Sequence, residues 1–435
     1  MQLESGINRN SKAAKILSFY FLVIFLYTTS PCDIMSVTRF TGNIFALAFP
    51  ILFTAFICWR FKVNLLNKKF LYIILGLLSW NSFHLVFTEG YKVSPFPFIE
   101  VFIGYVVVQV FSYSIFQRFE RLAVKLSILA LLGWLLCLIS YDTIYSIAKI
   151  IGSPGAMTSQ SLYVFSVPST ANNGGILLRN CGFAWEPGRF SCFLLIALFI
   201  NIHRTKLDFK NKNFLVLFTA LITAQSTTGY LCFMLLIGLY YCFNKKINVA
   251  LLTLGIITVC LILSLPFMQD KIIALFENSL RIDEQVDELI YLSYNGTDDN
   301  YYVPQRFDGM MFQLMNLQHA PIILGEGRDL TNFFLNKEMG FRVAVSEGII
   351  VLFIQYGYII GLLIYYQLLK SSRLISKLFE AKNSFLFFIL FIAINFSYNF
   401  WENPMIISFW LFAYYKSNHF LNLKKTNLTT LRLIK

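Results

Sequence analysis

Sequence features that would indicate a metal site, a coiled coil or a repeat protein are absent from this 435-residue chain. Six of its eight cysteines fall inside apolar stretches, and none stand at metal-ligand spacing, so we expect no metal centre. The formal net charge is +13, yet the basic residues are scattered in short segments and form no contiguous basic face. This distribution argues against a nucleic-acid-binding protein.

Apolar residues dominate instead. Hydrophobic residues make up 57% of the chain and the mean hydropathy is +0.63, against roughly 45–50% apolar residues in a soluble domain. We interpret the long apolar runs as about twelve transmembrane helices, of which the pair at 213–243 is short enough to be re-entrant. The predicted spans are 13–30, 40–59, 70–88, 96–116, 122–140, 189–203, 213–225, 228–243, 247–267, 344–368, 384–400 and 402–415.

The connections between these spans alternate in charge. One set holds 25 of the 36 basic residues and only four acids, Glu4, Glu120, Asp208 and Glu380. Because positively charged loops stay in the cytoplasm, we expect both termini and this set of connections to be cytoplasmic. The remaining connections then face outward.

Two outward connections are long, 141–188 and 268–343, whereas the others have roughly ten residues or fewer. The second is acidic, and its apolar residues recur at helical spacing, which predicts a folded helical cap. The predicted fold is therefore an all-α polytopic membrane protein, with one integral membrane domain over residues 1–435. Long structured loops on such a scaffold usually carry function.

The end of the first long loop is rich in chemistry-bearing residues. The stretch from Arg179 to Arg189 combines two arginines, a carboxylate, two glycines and a proline. Pro187 suits the first turn of a helix, and Glu186 would lie beside the positive end of that helix. The alternative interpretation is a helix cap with interfacial arginines that reach lipid headgroups.

The second long loop supplies further candidates, which are Arg306, His319, Arg328 and Arg342, with Glu347 just inside the next helix. Arginine suits phosphate because its planar guanidinium stays charged and donates two parallel hydrogen bonds. For most single arginines the alternative, a surface ion pair, is favoured, and His319 is typical of a solvated loop histidine. In the fourth span, Glu100 is costly unless paired, which makes it a functional candidate.

Three segments carry a resemblance to a known family. They are Arg-x-x-Gly-Phe-x-x-Glu-Pro-Gly at 179–188, Ser-Thr-Thr-Gly at 226–229, and Arg306 followed by Pro-Ile-Ile-Leu-Gly-Glu-Gly at 321–327 and Gly-Tyr-Ile-Ile-Gly at 357–361. In this order, and with a large outer loop before the tenth span, they resemble bacterial Wzy-type O-antigen polymerases.

The resemblance implies a glycosyltransferase that polymerises surface polysaccharide at the outer face of the bacterial cytoplasmic membrane. Its substrates would be oligosaccharide repeat units on undecaprenyl pyrophosphate, and neither a metal nor a nucleotide sugar is expected. The expected partners are these lipid-linked oligosaccharides and membrane lipids. A chain-length regulator is left open.

Together, the resemblance and the chemistry of arginine imply that Arg179, Arg189 and Arg306, followed by Arg328, bind the pyrophosphate. Either Glu186 or Glu347 is expected to act as the catalytic base or to orient an arginine. Since pyrophosphate is a good leaving group, positioning and charge stabilisation could supply much of the acceleration without a dedicated base.

Two alternatives are kept. O-antigen ligases share the layout, but a histidine is expected near the end of their large loop, and the frame set by Gly357 places Ser346 there in this chain. Lipid-linked oligosaccharide flippases also have about twelve spans, yet carriers of this kind are built from repeated halves with short loops. We therefore rank the polymerase first, the ligase second and the flippase third.

Overall fold

The computed structural model describes residues 12–29, 44–88, 91, 93–151, 153–154, 160–162, 164–168, 178–244, 269, 273, 301–302, 306–328, 333–334, 342–343 and 348–423. Thirteen helices lie within these residues. They are α1 (Lys12–Thr29), α2 (Ile44–Arg60), α3 (Lys68–Phe87), α4 (Phe96–Phe111), α5 (Ser114–Ile139), α6 (Tyr141–Ile151), α7 (Pro187–Thr205), α8 (Lys212–Ala224), α9 (Thr227–Asn244), α10 (Arg306–His319), α11 (Val351–Leu378), α12 (Leu386–Asn395) and α13 (Pro404–Leu423).

Four of these helices, α1, α3, α5 and α11, are long and apolar enough to cross a membrane. Six further described helices contain apolar stretches of 10–17 residues. The mostly helical architecture of a multi-pass membrane protein is thus confirmed at this level. The count of twelve spans stays a prediction, and the predicted span at 247–267 lies outside the described residues.

Helix α7 forms the centre of the bundle and is buried along most of its length. It packs against α5, α8 and α9. Aromatic rings fill the space around it, with Phe193 at 5.3 Å from Phe400 and Phe199 at 5.2 Å from Phe387 between ring centroids. A helix that is apolar on all sides is typical of the interior of a large bundle.

The helix ends sort into two groups. At the end that we name the basic end, Lys69 Nζ donates to the Tyr414 carbonyl (2.6 Å) and Arg204 pairs with Glu120 (2.7 Å). These contacts join the start of α3 to the middle of α13 and the first part of α5 to the end of α7. At the opposite end, the first turn of α7 meets the last turn of α1 and the start of α13, because Arg189 contacts Thr28 and Asn403. The last turn of α3 and the first turn of α4 meet there as well, because His84 contacts Leu324 and Glu100 contacts Arg328. This sorting agrees with the charge alternation of the sequence.

Three predicted spans differ in their boundaries from the helices of the structure. The span predicted at 96–116 is broken because Ser112 adopts a positive φ of 49°, which ends α4, and α5 begins at Ser114. The span predicted at 384–400 ends at Asn395, whose side chain donates to Phe391 O (2.9 Å) and accepts from Phe400 N (3.1 Å), turning the chain. The span predicted at 344–368 is α11, which runs on to Leu378.

The first long loop also departs from the all-α expectation. It contains α6 and a small antiparallel sheet in the order β1 (Ser153–Pro154), β2 (Gln160–Ser161) and β3 (Ser166–Val167). Ser161 and Ser166 are buried and face each other across β2 and β3, and the Ser166 backbone N–H donates to the Gly182 carbonyl at 2.7 Å. Farther along, β4 (Tyr301–Tyr302) pairs in parallel with β5 (Arg342–Val343).

Candidate functional site

Residues 395–404, which join α12 to α13, form the meeting point of the segments that we singled out in the sequence. The contacts are Ser397 Oγ with Thr228 Oγ1 (2.6 Å), Tyr398 with Gly188, Asn403 Oδ1 with Arg189 Nη2 (3.2 Å) and Glu402 Oε2 with Arg328 Nη2 (2.6 Å). Segments far apart in sequence therefore converge at the opposite end of the bundle. We name residues 395–404 the junction segment.

Arg189 lies in the first turn of α7, and its side chain reaches the junction segment. Its Nη2 donates to the Thr28 carbonyl at the end of α1 and to Asn403 Oδ1, both at 3.2 Å. The residue is only 7% exposed. Glu186 and Pro187 begin the helix as predicted, with Glu186 at the N-cap and Pro187 in the first turn. The start of α7 thus carries a guanidinium into the interior of the bundle.

The surroundings of the Arg189 guanidinium are aromatic and neutral. Its Cζ lies 4.0 Å from the Trp185 ring centroid and 5.2 Å from that of Phe400. None of the ion pairs between described residues includes Arg189, although Glu186 lies within electrostatic range. Its Nε is buried and has no acceptor among the described residues. Ring faces stabilise a cation without neutralising its charge, so Arg189 keeps a donor for an anion.

Arg328 lies on the other side of the same turn, between two carboxylates. It donates to both oxygens of Glu100 at 3.3 Å and to Glu402 Oε2 at 2.6 Å. The Arg328 side chain is 13% exposed and that of Glu100 is 4% exposed. The need of Glu100 for a partner, which the sequence predicted, is therefore met by a residue of the second long loop.

Helices α4 and α13 bring the two carboxylates together. Gly104 lies one turn after Glu100, and a Cβ at Gly104 would stand 2.7 Å from Ile407 Cγ2 and 3.1 Å from the Pro404 carbonyl. The missing side chain therefore permits the close approach of α4 to the start of α13. Glu402 precedes that start by two residues, so it lies beside Glu100.

The Glu100–Arg328–Glu402 cluster has more acid than base. Burial lowers the pKa of Arg328, but attraction to Glu100 and Glu402 outweighs this and raises the pKa well above its ordinary value. Both oxygens of Glu100 are occupied. Glu402 Oε1, by contrast, is buried and has no hydrogen-bond donor among the described residues. A buried acceptor without a donor costs about 1–3 kcal/mol and is the exception in folded proteins.

Residues 321–328 carry Arg328 to the cluster by docking against a break in α11. Gly357, inside α11, has φ 74° and ψ 172°, so the helical hydrogen bonds stop there. The docked segment replaces them: Glu326 N donates to Ile354 O (2.7 Å), and Tyr358 N donates to Ile322 O (2.8 Å). A side chain on Gly357 would collide with the backbone of the docked segment. Glycine at this position is thus required by both its conformation and its contact.

The end of α3 clamps the same segment from the other side. Trp80 Nε1 and His84 Nε2 both bond the Leu324 carbonyl, at 2.9 and 3.1 Å. Because a carbonyl only accepts, His84 donates from Nε2, and its Nδ1 accepts from Thr88 Oγ1 at 2.9 Å. Tyr91 packs against Gly327, which has a φ of 88°. The backbone before Arg328 is therefore fixed on two sides.

The remaining predicted residues are placed as follows. Arg179 precedes Asn180, whose backbone and side chain bond Thr223 (2.9 and 3.0 Å), so this stretch docks on the end of α8, where Arg179 acts electrostatically on Tyr230. Arg306 begins α10, but its side chain is outside the description, as is Glu347 entirely. Arg189 and Arg328 thus both contact the junction segment, and Arg179 lies near the end of α8 and the start of α9.

Two features of the site were not predicted from the sequence. The pairing of Glu402 with Arg328 joins residues far apart in the chain, which no local pattern reveals. The contacts of His84 had a signal, since a histidine in an apolar run needs buried partners. Cys181 carries no chemistry here, since burial raises the pKa of its thiol to about 12 and keeps it neutral.

A second glutamate–arginine cluster lies at the basic end. Arg204 donates from Nε and Nη2 to the two oxygens of Glu120, at 2.9 and 2.7 Å. Asn201 Nδ2 adds a third bond to Glu120 at 2.7 Å. This cluster pairs one acid with one base, and both oxygens of Glu120 accept hydrogen bonds, while Asn201 Oδ1 is buried without a donor among the described residues.

Comparison of the chain with protein-family models, with curated proteins and with solved structures found no match. Within the described ranges, no group of three or more histidine, cysteine, aspartate or glutamate side chains is placed to hold a metal ion. The chemistry of the site therefore has to be inferred from its arginines and carboxylates.

Proposed function

We propose that this chain is a polysaccharide polymerase, a glycosyltransferase similar to the Wzy-type O-antigen polymerases. It would join oligosaccharide repeat units carried on polyprenyl pyrophosphate. The donor is the growing chain on its lipid carrier, and the acceptor is a sugar hydroxyl of an incoming lipid-linked unit. Such a transfer requires stabilisation of the departing pyrophosphate by positive charge.

The observation that supports this proposal best is the convergence on the junction segment. Two of the three segments of the sequence resemblance contact residues 395–404, through Gly188 and Thr228, and Arg328, directly after the stretch 321–327 of the third, contacts Glu402. Two arginines from different parts of the chain reach adjacent residues of this segment, Glu402 and Asn403. Converging guanidinium groups at one end of an apolar bundle suit a lipid-linked diphosphate.

Within this proposal the two arginines have different tasks. Arg189 has aromatic and neutral neighbours, so its charge is available to the pyrophosphate. Arg328 is balanced by two carboxylates and orients them. Arg179 and Arg306 are further proposed pyrophosphate ligands, and Glu186 and Glu347 stay predictions from the sequence.

We propose the bacterial cytoplasmic membrane as the location, with the junction segment facing the periplasm or the cell exterior. The support is the separation of charge, since the lysine-rich connections lie at the basic end. Val93, at the opposite end, is 50% exposed, and Leu66, at the basic end, is 79% exposed. In whole cells, a membrane-impermeant maleimide should label a Val93→Cys variant and not a Leu66→Cys variant, both made in a cysteine-free background. The reverse pattern would contradict the orientation.

The function is tested by the surface polysaccharide of a strain that lacks the gene. A polymerase defect leaves a single repeat unit on the lipid core, and wild-type complementation restores the ladder of long chains. Complementation with Arg189→Gln should not restore the ladder, whereas Arg60→Gln, at the basic end, should. Bare core with polymer accumulating on its lipid carrier would instead identify a ligase, and accumulation of units on the cytoplasmic face would identify a flippase.

A further inference from the structure

We infer that Glu402 is the proton acceptor of the transfer reaction. This inference rests on the proposed function, and it replaces Glu186 and Glu347 in the role of base. It is drawn from the Glu100–Arg328–Glu402 cluster, in which one carboxylate oxygen has no hydrogen-bond donor among the described residues.

The carboxylate oxygens of the cluster differ in their hydrogen bonding. Of the four carboxylate oxygens in the cluster, three accept from Arg328, and Glu402 Oε1 alone lacks a donor among the described residues. The Glu402 side chain is 23% exposed although Oε1 itself is buried, and Glu100 is sealed inside the cluster. An oriented carboxylate with one oxygen unused is what a hydroxyl donor requires.

The Glu402 side chain is held in a rigid turn. The turn around Glu402 is fixed on both sides, because Trp401 Nε1 donates to the Gly348 carbonyl (2.7 Å) and Asn403 N donates to the Phe400 carbonyl (3.2 Å). Arg328 holds Oε2 and thereby sets the direction of Oε1. Arg328 is a positioning residue in this arrangement. A catalytic group held from several sides loses little entropy in the reaction.

The residue that follows Glu402 in the chain contacts a cation. Asn403 Oδ1 accepts a hydrogen bond from the buried guanidinium of Arg189, whose Nε has no acceptor among the described residues. The turn therefore carries a proton acceptor, Glu402, next to a residue, Asn403, that contacts the cation Arg189. Glycosyl transfer needs both groups, one for the attacking hydroxyl and one for the leaving phosphate.

The acceptor hydroxyl oxygen attacks the anomeric carbon of the donor and forms the new C–O bond, while its proton passes to Glu402 Oε1. The bond between the anomeric carbon and the phosphate oxygen breaks, and the polyprenyl pyrophosphate leaves with the electron pair, stabilised by Arg189. Glu402 then returns the proton to water.

The test uses full-length protein in liposomes and lipid-linked repeat units extracted from the deletion strain. Glu402→Gln keeps an oxygen for Arg328 but removes the base, so kcat should fall by about 10²–10⁴ with little change in KM. Glu120→Gln is the matched control, because Glu120 is also a buried carboxylate paired with an arginine, and its kcat should stay near the wild-type value. A Glu402→Gln variant that keeps the wild-type kcat would overturn the assignment.

Two further variants separate catalysis from folding. Glu402→Asp retains the charge beside Arg328 but draws the carboxylate back, and kcat should fall by about 100-fold. Formate should restore part of the kcat of Glu402→Ala, since a small carboxylate replaces a base but not a structural contact. Wild-type kcat in the aspartate variant, or an alanine variant that folds and is inactive but does not respond to formate, would contradict the role of base. If the wild type itself forms no polymer, the proposed function fails.

Discussion

The two glutamate–arginine clusters at opposite ends of the bundle differ in the number of carboxylates that face each arginine. At the basic end, Glu120 receives three short hydrogen bonds and Arg204 faces one carboxylate. At the opposite end, Arg328 faces two carboxylates, and one oxygen of Glu402 has no donor among the described residues. A carboxylate with both oxygens hydrogen-bonded to cations and amides stabilises the fold, whereas a buried carboxylate oxygen without a donor is an exception that requires an explanation. The comparison therefore separates a structural cluster from a chemical one.

The supports of the two clusters differ as well. Glu120 and Arg204 both belong to helices, α5 and α7. Arg328 belongs to a docked segment that depends on a helix break at Gly357 and on the clamp from Trp80 and His84. An arginine on such a segment can be removed from its partners by changes at a distance, and this makes the opposite end the more fragile of the two.

The largest expected difference comes from removing the arginines. Arg328→Gln leaves the buried Glu100 and the partly buried Glu402 without a cation, and we expect a loss of about 3–5 kcal/mol in the free energy of unfolding, together with loss of polymerisation. Arg204→Gln leaves one buried carboxylate, Glu120, which still accepts a hydrogen bond from Asn201, so the loss should be smaller, about 1–3 kcal/mol. Thermal unfolding of the purified variants in detergent measures both. Equal destabilisation would contradict the distinction between the clusters.

A change at a distance tests the docked segment. Gly357→Ala places a side chain where φ is 74° and where the backbone at Ile323 leaves no room. We expect a loss of about 1–3 kcal/mol and, because Arg328 shifts with the segment, a fall in kcat. The matched control is Gly76→Ala in α3, where no atom lies within 4 Å of the added Cβ, and alanine there should stabilise the helix by about 0.5–1 kcal/mol. Wild-type stability and kcat in Gly357→Ala would show that the docking is not needed.

A smaller effect is expected for the arginine that lacks a carboxylate partner. Arg189→Lys keeps the positive charge but loses the planar stack 4.0 Å from Trp185 and the hydrogen-bonding fork. We expect KM for the lipid-linked donor to rise by about tenfold, in line with a cation–π and hydrogen-bond loss of about 1–2 kcal/mol. Steady-state kinetics in liposomes measures this, and an unchanged KM would remove Arg189 from the pyrophosphate site.

The smallest expected effect has opposite signs at the two ends. Glu100→Gln converts the two-acid cluster into a one-to-one pair of Arg328 with Glu402, so the free energy of unfolding should stay within about 1 kcal/mol or rise. Glu120→Gln removes the only carboxylate of Arg204 among the described residues and should cost about 1–2 kcal/mol. Denaturation of the two variants side by side decides this. A larger loss for Glu100→Gln would show that both acids are structural.

The sequence predicted the fold where local physics decides it. The N-terminal signal of α7, with Glu186 followed by Pro187, was confirmed, and so was the need of Glu100 for a buried partner. The partner itself could not be predicted, because Arg328 lies 228 residues farther along the chain. Nor could the break at Gly357, since an isolated glycine in an apolar run does not reveal that another segment will dock there.

The long sequence separation within the cluster has a consequence for biosynthesis. At about 5–20 residues per second, Arg328 leaves the ribosome roughly 10–45 s after Glu100, from which it is 228 residues distant. During that interval α4 carries an acidic side chain with no cation beside it, and Glu402 has not yet been made. An acid in an apolar helix is retained most easily when neutral or shielded. Nascent chains that end before Arg328 should therefore depend on an insertase or chaperone that shields α4, and completion of the chain should release it.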